Sequence, residues 1–136
     1  MKKGFTCGAF DLLHAGHVLM LQEAKTVCDY LIVGLQTDPS LDRKEKNRPV
    51  QSLVERQLQL SAIRYVDEVV VYERELELEM IFSALPINIR IIGDDHMYKK
   101  FTGKKICEER GIEIHYNTRE HGFSSSELRR QISQEC

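Results

Sequence analysis

Residues 8–17 read Gly-Ala-Phe-Asp-Leu-Leu-His-Ala-Gly-His, and this stretch decides the fold prediction because of what flanks it. The run at residues 3–7 is typical of a strand, and residues 17–27 carry apolar side chains at helical spacing. The decapeptide therefore predicts a strand–turn–helix unit. Such a unit begins the crossover that joins two parallel strands.

The same alternation continues along the chain. Further strands are predicted at residues 30–35, 68–71, 88–92 and 112–116, and further helices at 52–63, 74–85, 103–110 and 124–132. Five strands separated by helices predict an α/β fold with a five-stranded parallel sheet and helices on both faces. The length of 136 residues fits a single domain spanning residues 1–136.

The segment at residues 36–51 is polar and charged and contains Pro39 and Pro49, which predicts a long loop. A loop of this length in a small domain is usually functional or disordered. In open parallel sheets, ligands bind beyond the carboxyl ends of the strands. The residues that follow each strand are therefore the first candidates for a site.

Composition excludes several classes of protein. The formal net charge of -2 argues against a dedicated nucleic-acid binder. No apolar stretch approaches the ~20 residues that span a bilayer, and the first residues do not resemble a signal peptide. The four cysteines are scattered, without a C-x-x-C pair, so reduced thiols in a cytoplasmic protein are expected.

His14 and His17 lie three residues apart where the first helix opens, so both side chains can lie on one side of it. A helix N-terminus offers unpaired N–H groups and a partial positive charge, and Gly16 lets an anion approach closely. This pattern predicts that both imidazoles bind one polyphosphate. Chelation of a metal, or a turn with incidental histidines, are the alternatives.

A second candidate anion site precedes the last helix, where Gly122 and three serines follow Arg119. The S-x-x-E spacing of Ser124 and Glu127 marks a helix start, at which hydroxyl and N–H groups face outward. A plain capping box is the alternative.

Three more groups are weaker candidates. Asp94, with its neighbour Asp95, follows the fourth strand and could hold Mg²⁺ or contact a base or ribose. Lys44 and Lys46 of the long loop could close over an acceptor phosphate, or could belong to a solvated charge run. Arg56 and Arg64 are expected eight apart on one helix, where ordinary surface arginines are the alternative.

The motif G-x-F-D-x-x-H-x-G-H at residues 8–17 resembles the signature of the cytidylyltransferase branch of the nucleotidyltransferase superfamily. Residues 29–33, 37–38, 64–69 and 93–95 extend the likeness to glycerol-3-phosphate cytidylyltransferases, and residues 119–126 match that family's R-T-E-G-I-S-T-T motif in weaker form. His96 departs from this pattern, because it stands where those enzymes carry Trp. Residues 97–109 form a longer segment than theirs.

The resemblance implies a Rossmann-like fold, a homodimer, and Mg²⁺ or another divalent cation held mainly by the nucleotide phosphates. It implies catalytic roles for His14, His17, Lys44, Lys46 and Arg119. It implies a nucleotide site formed by Gly8, Ala9, Phe10, His14, Gly16, His17, Asp94, Arg119, Gly122, Ser124, Ser125 and Ser126. It implies an acceptor site formed by Asp11, Asp38, Lys44, Arg56 and Arg64.

The reaction expected from this resemblance is attack of an acceptor phosphate oxygen on the α-phosphorus of a nucleoside triphosphate, with release of pyrophosphate. CTP is favoured over ATP, and glycerol 3-phosphate is the leading acceptor. The alternatives are a cytidylyltransferase for another phosphorylated alcohol, such as phosphoethanolamine, and an adenylyltransferase for a sugar phosphate or FMN. A nucleotide-binding module without catalysis is the more distant possibility.

Overall fold

The computed structural model describes residues 1–118 and 123–135. Five parallel strands form one sheet in the order β3-β2-β1-β4-β5. The strands are β1 (Lys3–Gly8), β2 (Tyr30–Gln36), β3 (Glu68–Tyr72), β4 (Ile89–Gly93) and β5 (Glu113–Asn117). This order is that of a Rossmann-like sheet, and the direction of the chain across the sheet reverses between β1 and β4.

A helix follows every strand. The helices are α1 (Ala15–Thr26), α2 (Leu53–Ser61), α3 (Glu77–Ala84), α4 (Lys104–Glu109) and α5 (Ser125–Glu135). Single 3₁₀ turns at Pro39–Leu41 and Asp94–His96 follow β2 and β4. In the described part of the chain, no helix has the length and apolar character needed to cross a membrane.

Both faces of the sheet are covered, as β2 illustrates. Leu31, Val33 and Leu35 pack into a core that includes Leu21 of α1 and Leu60 of α2. Ile32 faces the other way, into a core formed with side chains of α3, α4 and β1, namely Phe5, Leu78, Phe82 and Cys107. The predicted α/β class, parallel sheet and two-sided covering are therefore confirmed.

Local chemistry fixes several element ends. Ser52 caps α2 in a reciprocal box, since its Oγ accepts from Glu55 N at 3.2 Å and Glu55 Oε1 accepts from Ser52 N at 3.0 Å. Gly103 precedes α4 at φ +86°, and a Cβ there would lie 2.8 Å from the Phe82 ring.

Several helix boundaries differ from the predicted ones, and the end of α2 is the one that changes a site prediction. Helix α2 ends at Ser61, where Ala62 N and Ile63 N bond back to carbonyls of residues 58–60 in a tightening turn. The exposed Arg64 therefore lies beyond the helix. The prediction that Arg56 and Arg64 share a helix is wrong.

Candidate active site

A cavity of about 400 Å³ opens at the carboxyl end of the sheet, where the strand order reverses. Its walls come from the β1–α1 turn, the first half of α1, the β2–α2 loop, the end of β5 and the start of α5. The lining residues are Cys7, Gly8, Ala9, Phe10, Asp11, His14, Gly16, His17, Met20, Pro39, Lys46, Asn47, Pro49, Asn117, Thr118, Phe123, Ser124, Ser126 and Arg129.

The turn between β1 and α1 has a strained backbone. Phe10 and Leu12 have φ values of +48° and +52°, in the left-handed region that costs non-glycine residues roughly 1–3 kcal/mol each. Such a conformation persists only where surrounding contacts fix it. Leu12 N donates to Gln51 Oε1 at 2.9 Å, which ties the turn to the residue before α2.

Asp11 forms a second link between this turn and other segments, and its side chain is only 6% exposed. Its two carboxylate oxygens accept from Val50 N at 2.8 Å and Gln51 N at 2.9 Å, and Arg129 of α5 forms an ion pair with it. Asp11 therefore joins three walls of the cavity. These contacts give Asp11 a positioning role, and because it also lines the cavity, its place in the acceptor site stays a prediction from the family resemblance.

His14 and His17 cap α1 reciprocally. His14 Nδ1 accepts from Gly16 N at 2.9 Å, and His17 Nδ1 accepts from His14 N at 3.2 Å. The first turn thus uses imidazole nitrogens where a capping box normally uses an oxygen. The two rings stack with centroids 3.9 Å apart and an interplanar angle of 29°.

These contacts also fix the tautomer of both rings. A ring nitrogen that accepts a hydrogen bond carries no proton, so in the neutral imidazole the hydrogen is on Nε2. Two stacked rings of this tautomer present two Nε2–H donors side by side at the positive end of α1. That arrangement is suited to one ligand with several anionic oxygens.

The start of α5 provides the opposite wall. Ser124 Oγ accepts from Glu127 N at 3.0 Å, which caps the helix, and both Ser124 and Ser126 line the cavity. The Glu127 carboxylate accepts from Arg130 Nε at 3.0 Å, so its charge is paired along the helix. Arg119, Gly122 and the side chain of Ser125 lie outside what the structure describes.

The loop after β2 is anchored at two points along its length. At one anchor Asp42 accepts from Glu75 N at 2.8 Å and pairs with Arg74 at 3.4 Å, and at the other Asp11 holds residues 50 and 51. Residues 44–49 cross between these anchors, and Lys46 lines the cavity. A cation is therefore held on the side of the cavity nearest β2.

Arg56 holds the backbone of the segments around the cavity in place. It is 2% exposed, and its guanidinium donates to four carbonyl oxygens: Gln36 O and Thr37 O at 2.7 Å, Ala9 O at 3.0 Å and Gln51 O at 3.2 Å. Burial lowers the pKa of Arg56, although Asp11 and Asp38 nearby counteract part of that shift. The structure thus directs Arg56 to the backbone, while the sequence predicted an acceptor-binding arginine.

Comparison with known proteins identifies the family. The family model described as cytidylyltransferase-like matches residues 5–131. The chain belongs to the cytidylyltransferase-like family. This membership supports the enzyme class that the family resemblance implied, a nucleotidyltransferase.

Curated relatives include bifunctional HldE proteins. The Helicobacter pylori protein is 38% identical over 133 residues, which cover 97% of this chain and 28% of the relative. The Paramagnetospirillum magneticum protein is 42% identical over 114 residues, covering 83% of this chain and 23% of the relative. The chain thus spans about a quarter of the length of the curated relatives it matches.

Solved structures with the same fold include a lipopolysaccharide core biosynthesis protein from Thermoplasma volcanium. It aligns with a TM-score of 0.69 at 24% identity, over 91% of this chain and 99% of that one. The pantothenate synthetase of Thermus thermophilus aligns with a TM-score of 0.59 at 12% identity, over 88% of this chain and 55% of that one. At these identities the likeness establishes the Rossmann-like fold.

Several predicted site residues of this cytidylyltransferase-like chain lie away from the cavity lining. Asp38 caps the 3₁₀ turn, with its Oδ1 accepting from Ser40 N at 3.0 Å, and the Ser40 hydroxyl contributes most to lowering the pKa of Asp38. Asp94 is exposed in the 3₁₀ turn after β4. Lys44 and Arg64 are exposed and do not line the cavity.

Within residues 1–118 and 123–135, no three or more His, Cys, Asp and Glu side chains are grouped so that they could hold a metal ion. These residues therefore do not fit a metal held by protein ligands alone.

The sequence analysis missed several lining residues, and two of them could have been found. Arg129 follows Ser126 by three positions on α5, so helical spacing could have placed it on the same side. Asn117 is the last residue of β5, and the rule that ligands bind beyond strand ends could have indicated it.

Proposed function

We propose that this nucleotidyltransferase transfers the adenylyl group of ATP to a sugar phosphate. The sequence kept this reaction as an alternative to CTP-dependent transfer to glycerol 3-phosphate. The HldE relatives, which are similar along nearly the whole chain, support ATP as the donor and a sugar phosphate as the acceptor. This similarity is the observation that carries the choice of substrates.

The sequence after β4 departs from the glycerol-3-phosphate pattern at His96 and in the longer segment 97–109. His96 packs edge-on against Phe101 at 6.1 Å, and the Arg90 guanidinium lies 4.8 Å from the Phe101 ring centroid. The long segment after β4 is thus folded around its own aromatic residue. This local packing is consistent with a different acceptor.

In the proposed reaction, an acceptor phosphate oxygen bonds to the α-phosphorus while the bond from that phosphorus to the bridging oxygen breaks, which releases pyrophosphate. A phosphate monoester is already anionic near neutral pH, so no general base is required. The protein must instead bring two anions together and stabilise the charge on the leaving group.

We assign that stabilisation to the two helix starts and the cations of the cavity. The Nε2–H groups of His14 and His17 donate to the triphosphate, opposite Ser124 and Ser126. Arg129, paired with Asp11, holds the start of α5 beside the β1–α1 turn, and Lys46 holds the acceptor phosphate on the β2 side. Roles for Arg119, Gly122, Ser125 and Lys44 stay predictions from the family resemblance.

Three further points stay proposals. Mg²⁺ or another divalent cation accompanies the nucleotide, with phosphates as its main ligands. The protein acts as a homodimer, as the resemblance implies. It acts in the cytoplasm, as the scattered cysteines suggest.

Pyrophosphate release across a panel of substrates tests the proposal. ATP and CTP are each combined with a set of sugar phosphates, glycerol 3-phosphate, phosphoethanolamine and FMN. We expect the highest kcat/KM for ATP with a sugar phosphate. A higher value for CTP with glycerol 3-phosphate would contradict the proposal, and tight nucleotide binding without turnover would indicate a non-catalytic module.

Lys46 and Lys44 form a matched pair for testing the acceptor side. Lys46→Ala should raise the acceptor KM by about tenfold, because a cation on the cavity wall then no longer meets the phosphate. Lys44→Ala, two residues away and outside the lining, should change it less. Steady-state kinetics with varied acceptor measure both, and an unchanged KM for Lys46→Ala would remove Lys46 from the acceptor site.

A further inference from the structure

Asn117 ends β5 beside α1, and one of its polar atoms has no partner among the described residues. The residue is 2% exposed and lines the cavity. Its Nδ2 donates to the Met20 carbonyl of α1 at 3.4 Å, while no donor in the described part of the chain reaches its Oδ1. Buried polar groups are normally satisfied, so this amide oxygen needs an explanation.

The orientation of the amide follows from its neighbour. The Met20 carbonyl can only accept hydrogen bonds, so the side-chain nitrogen must face it and the oxygen must face away. At 3.4 Å the bond is longer than usual, and it restrains the side chain weakly. A rotation about Cβ–Cγ can therefore turn the oxygen toward a ligand at little cost.

The position of Asn117 indicates which part of a ligand it meets. The phosphates are proposed to lie between the starts of α1 and α5, and Lys46 belongs to the β2 side of the cavity. Asn117 belongs to β5, on the other side of the β1–β4 boundary. With the acceptor phosphate near Lys46 and the triphosphate in the centre of the cavity, the nucleoside is expected on the β5 side.

We infer that Asn117 is a nucleotide-binding residue whose Oδ1 accepts a hydrogen bond from an N–H or O–H donor of the nucleoside. This inference rests on the proposed function, because it takes the cavity to hold a nucleoside triphosphate. A ribose hydroxyl and the exocyclic amine of adenine share the required chemistry. The unpartnered oxygen is then satisfied when the nucleotide binds.

The test compares Asn117→Leu with the wild type by titration calorimetry and thermal unfolding. We expect the variant to bind ATP about tenfold more weakly, since a donor of the ligand loses its acceptor. Binding of inorganic tripolyphosphate, which has no nucleoside, should be unchanged. Without ligand, the melting temperature should be equal or higher, because an unsatisfied polar group has been removed.

Gln36 provides the matched control. It is also a buried amide, but its Nε2 donates to Asp42 Oδ2 and to Glu73 O, both at 3.2 Å, outside the cavity lining. Gln36→Leu should therefore lower the melting temperature without ligand and leave the ATP dissociation constant unchanged.

Analogues of ATP locate the donor. For the wild type, 2′-deoxyATP, 3′-deoxyATP or inosine triphosphate should bind about tenfold more weakly than ATP, according to which group donates, and that loss should vanish in Asn117→Leu. Equal affinity for ATP and all three analogues would overturn the inference. So would unchanged ATP binding, an equal loss of tripolyphosphate binding or a lower melting temperature in Asn117→Leu. Failure of the wild-type protein to bind any nucleoside triphosphate would instead overturn the proposed function, and the inference with it.

Discussion

Replacing His14 or His17 with alanine should lower kcat by about 10²–10³-fold, the usual loss when one well-placed donor to developing charge is removed. The two stacked rings carry their N–H donors on Nε2 at the positive end of α1, where the proposed reaction places the departing pyrophosphate. Single-turnover kinetics with saturating ATP and acceptor measure the chemical step directly.

The alanine variants also lose a helix cap, which costs about 0.5–2 kcal/mol of stability. His14→Asn and His17→Gln separate the two effects, because Asn favours the N-cap position and Gln favours the third position of a capping box. These variants should unfold near the wild-type temperature and still show the loss in kcat. Wild-type single-turnover rates in either of them would remove that histidine from the chemistry.

Replacing Arg56 with methionine should lower stability by roughly 3–5 kcal/mol, the largest effect on folding that we expect. The substitution leaves four carbonyl oxygens at the ends of β1 and β2 and before α2 without their donor. For a chain of this length, such a loss corresponds to a drop of roughly 10–20 °C in the melting temperature.

Calorimetry or circular dichroism measures that change, and Arg64→Met is the control. Arg64 is exposed in the turn after α2, so its replacement should change stability by no more than about 0.5 kcal/mol. Equal melting temperatures for Arg56→Met and the wild type would show that the carbonyl contacts of Arg56 contribute little to the fold.

The strands and the histidine pair could be predicted from sequence because local patterns carry them. Apolar runs mark β2 and β4 because both strands are buried on two faces of the sheet, and turn residues separate them from the helices. His14 and His17 were recognisable because they directly follow a strand and open a helix. Their reciprocal capping and fixed tautomers required coordinates, since these depend on the backbone of the turn.

Arg56 and Asp11 show what local patterns do not reveal. A charged residue on a helix is normally solvated, and nothing near Arg56 in sequence indicates that three carbonyls from two distant segments converge on it. The partners of Asp11 lie 39, 40 and 118 residues away. Contacts of that separation follow from the packing of the sheet and not from spacing along the chain.

The substrates could not be predicted from the sequence for a different reason. The decapeptide resembles a signature shared by nucleotidyltransferases with different substrates, so it predicts the reaction class without the acceptor. Residues beyond it determine specificity, and the segment after β4 departs from the glycerol-3-phosphate pattern at His96. The HldE relatives therefore support a donor and an acceptor that the sequence analysis had kept only as an alternative.

A crystal structure of the protein with a non-hydrolysable ATP analogue tests the central claim most directly. We predict that the Nε2 atoms of both His14 and His17 lie within about 3.2 Å of oxygens of the triphosphate, with those oxygens between the first turns of α1 and α5. A triphosphate bound elsewhere, with both imidazoles directed away from it, would contradict the account.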